Sequence, residues 1–111
     1  MSDEFKESIE NALAVAEPEE LLGVVIDLAL AAEDSSWAQD CLAELALHED
    51  TDVRGNAMSG FAQLGARTGE LDREQVQAIL VDALRDRKAY VREQAAAALL
   101  ELGWGEGGAE G

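Results

Sequence analysis

"VREQAAAALLELG", residues 91 to 103, falls into register with "VRGNAMSGFAQLG", residues 53 to 65, at an offset of 38. Five positions coincide: Val53 with Val91, Arg54 with Arg92, Ala57 with Ala95, Leu64 with Leu102, and Gly65 with Gly103. Upstream, Leu42 and Leu80 match at the same offset. A period near 40 is long enough for two helices and a turn. A single helix pair cannot cover its own apolar faces, but stacked pairs can. The repeat therefore predicts an all-α fold, a short α-solenoid of about six helices in three antiparallel pairs.

The rest of the chain is consistent with that reading. There is one proline in 111 residues, alanine is abundant, and 48% of the residues are hydrophobic. This composition predicts long helices and a packed core rather than disorder. The first helix is expected over Asp3 to Ala16, with Phe5, Ile9, Leu13 and Ala16 on one stripe. Pro18 fits a first helical position, with Glu19 and Glu20 in the first turn of a second helix. That helix is apolar nearly all round through "LLGVVIDLALAA", which predicts a central, buried element.

A third helix is read from Trp37 to His48, and a fourth from an Asp50 or Thr51 cap to a terminus at Gly65. "ARTGEL" then reads as a surface loop. Asp72 caps a fifth helix, with Gln75 placed for a variant capping box. The sixth turns Val91, Ala95, Ala98, Leu99 and Leu102 inward, and Gly103 is its C-cap. The alanine run is expected to be a packing surface. One domain spans residues 1–104, with pairs at about 3–32, 36–65 and 72–103, and residues 105–111 read as a flexible Gly/Glu tail.

Phe61 and Leu99 are expected in the core, and Trp104 over the end of the sixth helix. Arg54 and Arg92, each in a first helical turn, are assigned a structural role toward acids or carbonyls of the adjacent turn or repeat.

The net charge of −16 excludes a phosphate-neutralising footprint and disfavours anionic membrane surfaces, so neither nucleic acid nor membrane is an expected partner. It favours a basic protein partner, although the same charge also serves solubility. Residues 1–53 hold 15 acidic side chains and one lysine, a net −14; residues 54–111 have a net −2. The electrostatic handle is therefore expected in the first half.

Glu19, Glu20, Asp50 and Asp52 are explained by helix N-termini alone. Asp27, Glu33, Asp34, Asp40, Glu44 and Glu49, with Asp50 and Asp52 beside them, form the candidate partner-binding set. Asp27 either faces outward or pairs with Arg54 or Arg67. Trp37 stands next to this acid, either as a binding anchor or as a residue closing the core.

Catalysis is not expected. Cys41 and His48 are about two helical turns apart, too far for a nucleophile–base pair. One cysteine and one histidine do not make a zinc site, and no metal or cofactor is predicted. A lone cysteine forms no internal disulfide, and the acidic N-terminus "MSDEFKES" does not read as a signal peptide. A cytoplasmic location is the expectation.

"LVDALRDRKAYVREQAAAALLELG", residues 80–103, resembles a HEAT repeat of the bacterial, phycobilin-lyase-like kind. The resemblance covers 76–103 and 38–65. The pair at 3–32 lacks the valine-arginine and reads as a degenerate N-terminal cap. The family includes base-excision glycosylases and chromophore lyases, but a glycosylase would need a basic groove.

"GFAQLGARTGELDREQVQAIL", residues 60–80, resembles small stand-alone HEAT proteins encoded beside bacterial polymorphic toxins, through Ala66 to Asp72. That resemblance implies an immunity protein: a monomer in a 1:1 complex, covering the basic active site of a nuclease or nucleotide-using toxin. The alternative is a general scaffold or regulatory adaptor with no toxin partner.

Overall fold

Asp34, Asp50 and Asp72 each start a helix, because a short carboxylate can accept the backbone N–H groups that a first turn leaves unpaired. Asp34 accepts from Trp37 N, Asp50 from Asp52 N and Val53 N, and Asp72 from Gln75 N. The computed structural model describes residues 3–104, so the expected tail at 105–111 lies outside the described residues. These form six helices, and no strand is present among them. The helices are α1 (Asp3–Val15), α2 (Pro18–Leu30), α3 (Ser35–Leu45), α4 (Thr51–Thr68), α5 (Arg73–Ala83) and α6 (Ala89–Leu102). The all-α expectation holds.

The central element is α4, not α2. It packs on α2 along one side, on α6 along the other, and on α3. The cross-contacts fix the directions. A Cβ on Gly60 would meet Val25, and Arg67 reaches Ala29 and Ala32, so α2 and α4 run the same way. Asn56 meets Tyr90 and Gly65 meets Leu102, so α4 and α6 also run together.

Val53, Ala57, Met58, Phe61, Ala62 and Leu64 of α4 are all buried. The near-uniform apolarity of α2 does not bury it on all sides. Leu21, Val24, Val25, Leu28 and Ala29 face inward, while Ile26 and Leu30 remain 55% and 57% exposed.

Three helix boundaries differ from expectation. Helix α3 begins at Ser35 rather than Trp37, because Asp34 caps it, and it ends at Leu45. Helix α4 continues through "ART" to a left-handed Gly69, at φ 68°, instead of stopping at Gly65. Gly65 serves close approach: a Cβ there would lie 2.6 Å from Leu102 Cδ2 and 2.8 Å from Leu71 Cδ1. At Gly103 the expected C-cap is present, at φ 76°. Trp104 N donates to Leu99 O and Gly103 N to Leu100 O, a Schellman ending. The alanine run divides: Ala95 and Ala98 are buried, whereas Ala96 and Ala97 face outward.

The 38-residue period is visible in hydrogen bonds. Arg54 Nη1 donates to His48 O at 2.9 Å, and one period later Arg92 Nη1 donates to Asp86 O at 2.7 Å. Asp50 N donates to His48 Nδ1, and one period later Lys88 N donates to Asp86 Oδ1. Each arginine thus ties the first turn of its helix to the turn before it.

Arg54 does more. Its Nε and Nη2 donate to Asp86 at 2.7 and 2.9 Å, joining the two repeats with a bidentate ion pair. Gln39, 5% exposed, makes a second joint. It accepts from Asp72 N and donates to Gln75 Oε1, so Asp72 and Gln75 do not form the expected capping box.

Candidate functional site

Helix α3 carries the predicted acidic set on its outer side, with the turns before and after it. Asp40 and Glu44, one helical turn apart, are both exposed. Glu33 precedes the helix and Glu49 follows it, both exposed. Asp52 is exposed in the first turn of α4.

Two members of the set are committed within the fold. Asp50 caps α4 through Asp52 N and Val53 N. Asp34 caps α3 and also accepts from Lys6 Nζ at 2.8 Å. The Lys6 ammonium and the Trp37 N–H hold the Asp34 carboxyl below its ordinary range. The same hydrogen bond raises Lys6.

Asp27 is exposed on α2. It pairs with neither candidate arginine. Arg54 is engaged with Asp86, and Arg67 donates to Ala29 O and Ala32 O, closing the C-terminal carbonyls of α2.

Trp37 bridges α3 and α1. Its ring meets Phe5 edge-on, with centroids 6.1 Å apart at 64°, and Lys6 Nζ lies 5.4 Å from the ring centroid. Its indole N–H donates to Glu10 Oε2 at 3.2 Å. Half-buried and packed against the core, Trp37 joins α1 to α3 while leaving one edge in the acidic surface.

Cys41 lies beneath this surface, 5% exposed. Burial, then the fields of Glu44, Glu10 and Asp40, push its thiol up to about 12. A thiol so placed stays protonated at neutral pH, the weakly nucleophilic form. The same fields show that Glu10, Asp40 and Glu44 converge on one region. Glu10 was not read from the sequence as a member, because only folding brings α1 beside α3.

A groove of about 570 Å³ opens between the turns at residues 46–49 and 82–87. Ala46, Met58, Ile79 and Ala83 line it, with Arg54, Asp86 and the 84%-exposed Leu47 at its edges. Asp86 was also missed. Its one sequence signal was the register with His48.

Trp104 closes the opposite end. Gln77 Nε2 donates to its carbonyl, and the Arg73 guanidinium lies 5.4 Å from its ring centroid. Among the described residues, no group of three or more His, Cys, Asp or Glu side chains is placed to hold a metal ion, and no helix is long and apolar enough to cross a membrane.

No family model matches this chain, and comparison with curated proteins and with solved structures returns no match.

Proposed function

We propose that this protein is an interaction module whose acidic surface covers a basic site on another protein, as an immunity protein covers the active site of a toxin. The observation that carries this reading is the pair of exposed carboxylates on α3, Asp40 and Glu44, with Glu10 of α1 held beside that helix by the Trp37 indole N–H. Lys6, the one cation in residues 1–53, is already bound to Asp34 there. A field dominated by one sign draws in a partner of the opposite sign and repels others of its own.

The immunity role rests on the resemblance of residues 60–80, and its mechanism is occlusion without chemistry. The region supplies carboxylates, one indole edge and a protonated thiol.

The test uses the protein encoded by the gene next to this one. Glu10, Asp40, Glu44 and Glu49 are changed together to their amides, and binding kinetics are followed against salt. Exposed charges interact over a screening length of about 8 Å at physiological salt. The association rate should fall by roughly 10-fold or more at low salt. Its salt dependence should flatten, and the melting temperature should hardly move. An unchanged association rate at low salt would sink the acidic-surface mechanism.

A further inference from the structure

Helical glycines in this fold have a reason, with one exception. A Cβ on Gly55 would run into the Tyr90 ring. One on Gly60 would lie 3.0 Å from Leu42 and 3.1 Å from Val25, and one on Gly65 would press on Leu102 and Leu71. Each of these glycines lets a neighbouring element come close. Gly23, in the middle of α2, has nothing within 4 Å of its would-be Cβ. Glycine in an exposed helix interior is unfavourable relative to alanine, and no contact among the described residues offsets it.

The surroundings of Gly23 are not those of an ordinary solvated face. Ile26 and Leu30, three and seven residues on, are 55% and 57% exposed, and Val15 at the preceding turn is 81% exposed. Glu19 and Asp27 flank the same strip, both exposed. This is the outer side of α2, opposite the side that α4 covers.

We infer that the outer face of α2 is a docking surface for an amphipathic basic helix of a partner protein, which crosses α2 at Gly23. Ile26 and Leu30 take its apolar side, and Glu19 and Asp27 take its lysines or arginines. The flat spot at Gly23 admits the partner backbone, as Gly55 admits Tyr90. Charge chooses the occupant. A second copy of this chain carries −16 and would bring like charge to the face. The inference rests on the basic partner proposed above and adds a separate contact on α2 to the one on α3.

The test uses the full chain and a synthetic amphipathic helix of leucine and lysine, with a leucine and glutamate helix of the same pattern as control. Amide shifts are mapped by NMR as each peptide is added, and affinities are measured for wild type and Gly23→Gln. Glutamine is a good helix former, so this variant should melt no lower than wild type. The basic peptide should shift residues 19–30 first. The added side chain should weaken binding roughly tenfold, the size of a modest steric misfit. The acidic peptide should not bind.

Unchanged affinity in Gly23→Gln would overturn the inference. So would shifts centred on Asp40 and Glu44 with α2 unmoved, a result that leaves the acidic α3 surface standing. A dimer that forms without peptide and is lost in Ile26→Asp would assign the face to a second copy. Equal binding of the acidic peptide would remove both this inference and the basic-partner reading.

Discussion

Asp86 accepts from both Nε and Nη2 of Arg54, and its other bond comes from Lys88 N. The two side chains are 10% and 14% exposed, so neither charge is fully solvated. The Arg54 hydrogen bonds hold the Asp86 carboxyl at about 2, against an ordinary 3.8. The folded state therefore binds this proton less tightly than the unfolded chain. The resulting stability is complete above about pH 4 and lost as pH falls toward 2. It amounts to roughly 2 kcal/mol. Asp86→Asn should flatten the acid limb of a stability–pH curve in that window, and an unaltered limb would place the pH dependence elsewhere. Arg54→Ala, which also strands the His48 and Glu49 carbonyls, should lower stability by about 2–3 kcal/mol in urea unfolding at pH 7. Cys41 provides a third check at this scale. With its thiol at about 12, it should resist maleimide at pH 8 in the native protein and react once denaturant is added. Rapid native labelling would contradict its burial.

Helix α4 owes its central place to small residues at the crossings. Gly55 and Gly60 remove the side chains that would hold α6 and α2 away, and Ala57 and Ala62 lie buried between them. Tyr90 settles over Gly55, and its hydroxyl accepts from Asn56 Nδ2 at 3.0 Å. In a solvated helix Gly→Ala would be favourable by ~1 kcal/mol. Here the added methyl meets a rigid ring, and overpacking of this kind costs about 1–3 kcal/mol. Gly55→Ala should therefore lower stability. Adding Tyr90→Ala should then cost less than it does in wild type, and the double-mutant cycle measures that coupling. Simple additivity would mean that the ring moves aside freely.

Helices α2, α3 and α6 share α4 as a wall, with α1 packed on α2 and α5 on α6, so the six helices should unfold together. The described chain has a radius of gyration of 13.3 Å, near the ~13 Å expected of a compact 100-residue domain. Phe61, fully buried in α4, and Leu99, 2% exposed in α6, contribute to the same core cluster. Phe61→Ala should cost about 3–5 kcal/mol and Leu99→Ala about 2–5 kcal/mol. Each should give one transition, seen alike by far-UV circular dichroism and by tryptophan fluorescence, because Trp37 reports on α1 and α3 and Trp104 on α5 and α6. Separate transitions by the two probes would show that the fold is not a single cooperative unit.

The sequence by itself determined the elements and their period. Helix starts were legible because a cap is local: Asp50, Asp72 and Pro18 act on backbone groups within three residues of themselves. The 38-residue register located the paired arginines, since the Arg54 and Arg92 contacts to their preceding turns span six residues. Tertiary structure decided what lies across the gaps. That Gly65 spaces helices rather than ending one depends on Leu71 and Leu102. That Arg54 is paired depends on Asp86, 32 residues away. The acidic surface was legible as charge but not as membership: Glu10 joins it only when α1 packs beside α3, and Asp34 is bound to Lys6 by the same packing. The central place of α4 was hidden for a related reason. Hydrophobicity records how much surface a helix must bury, whereas burial between two neighbours also requires side chains small enough to let both approach, and α4 has glycines at those crossings where α2 keeps Ile26 and Leu30 in solvent.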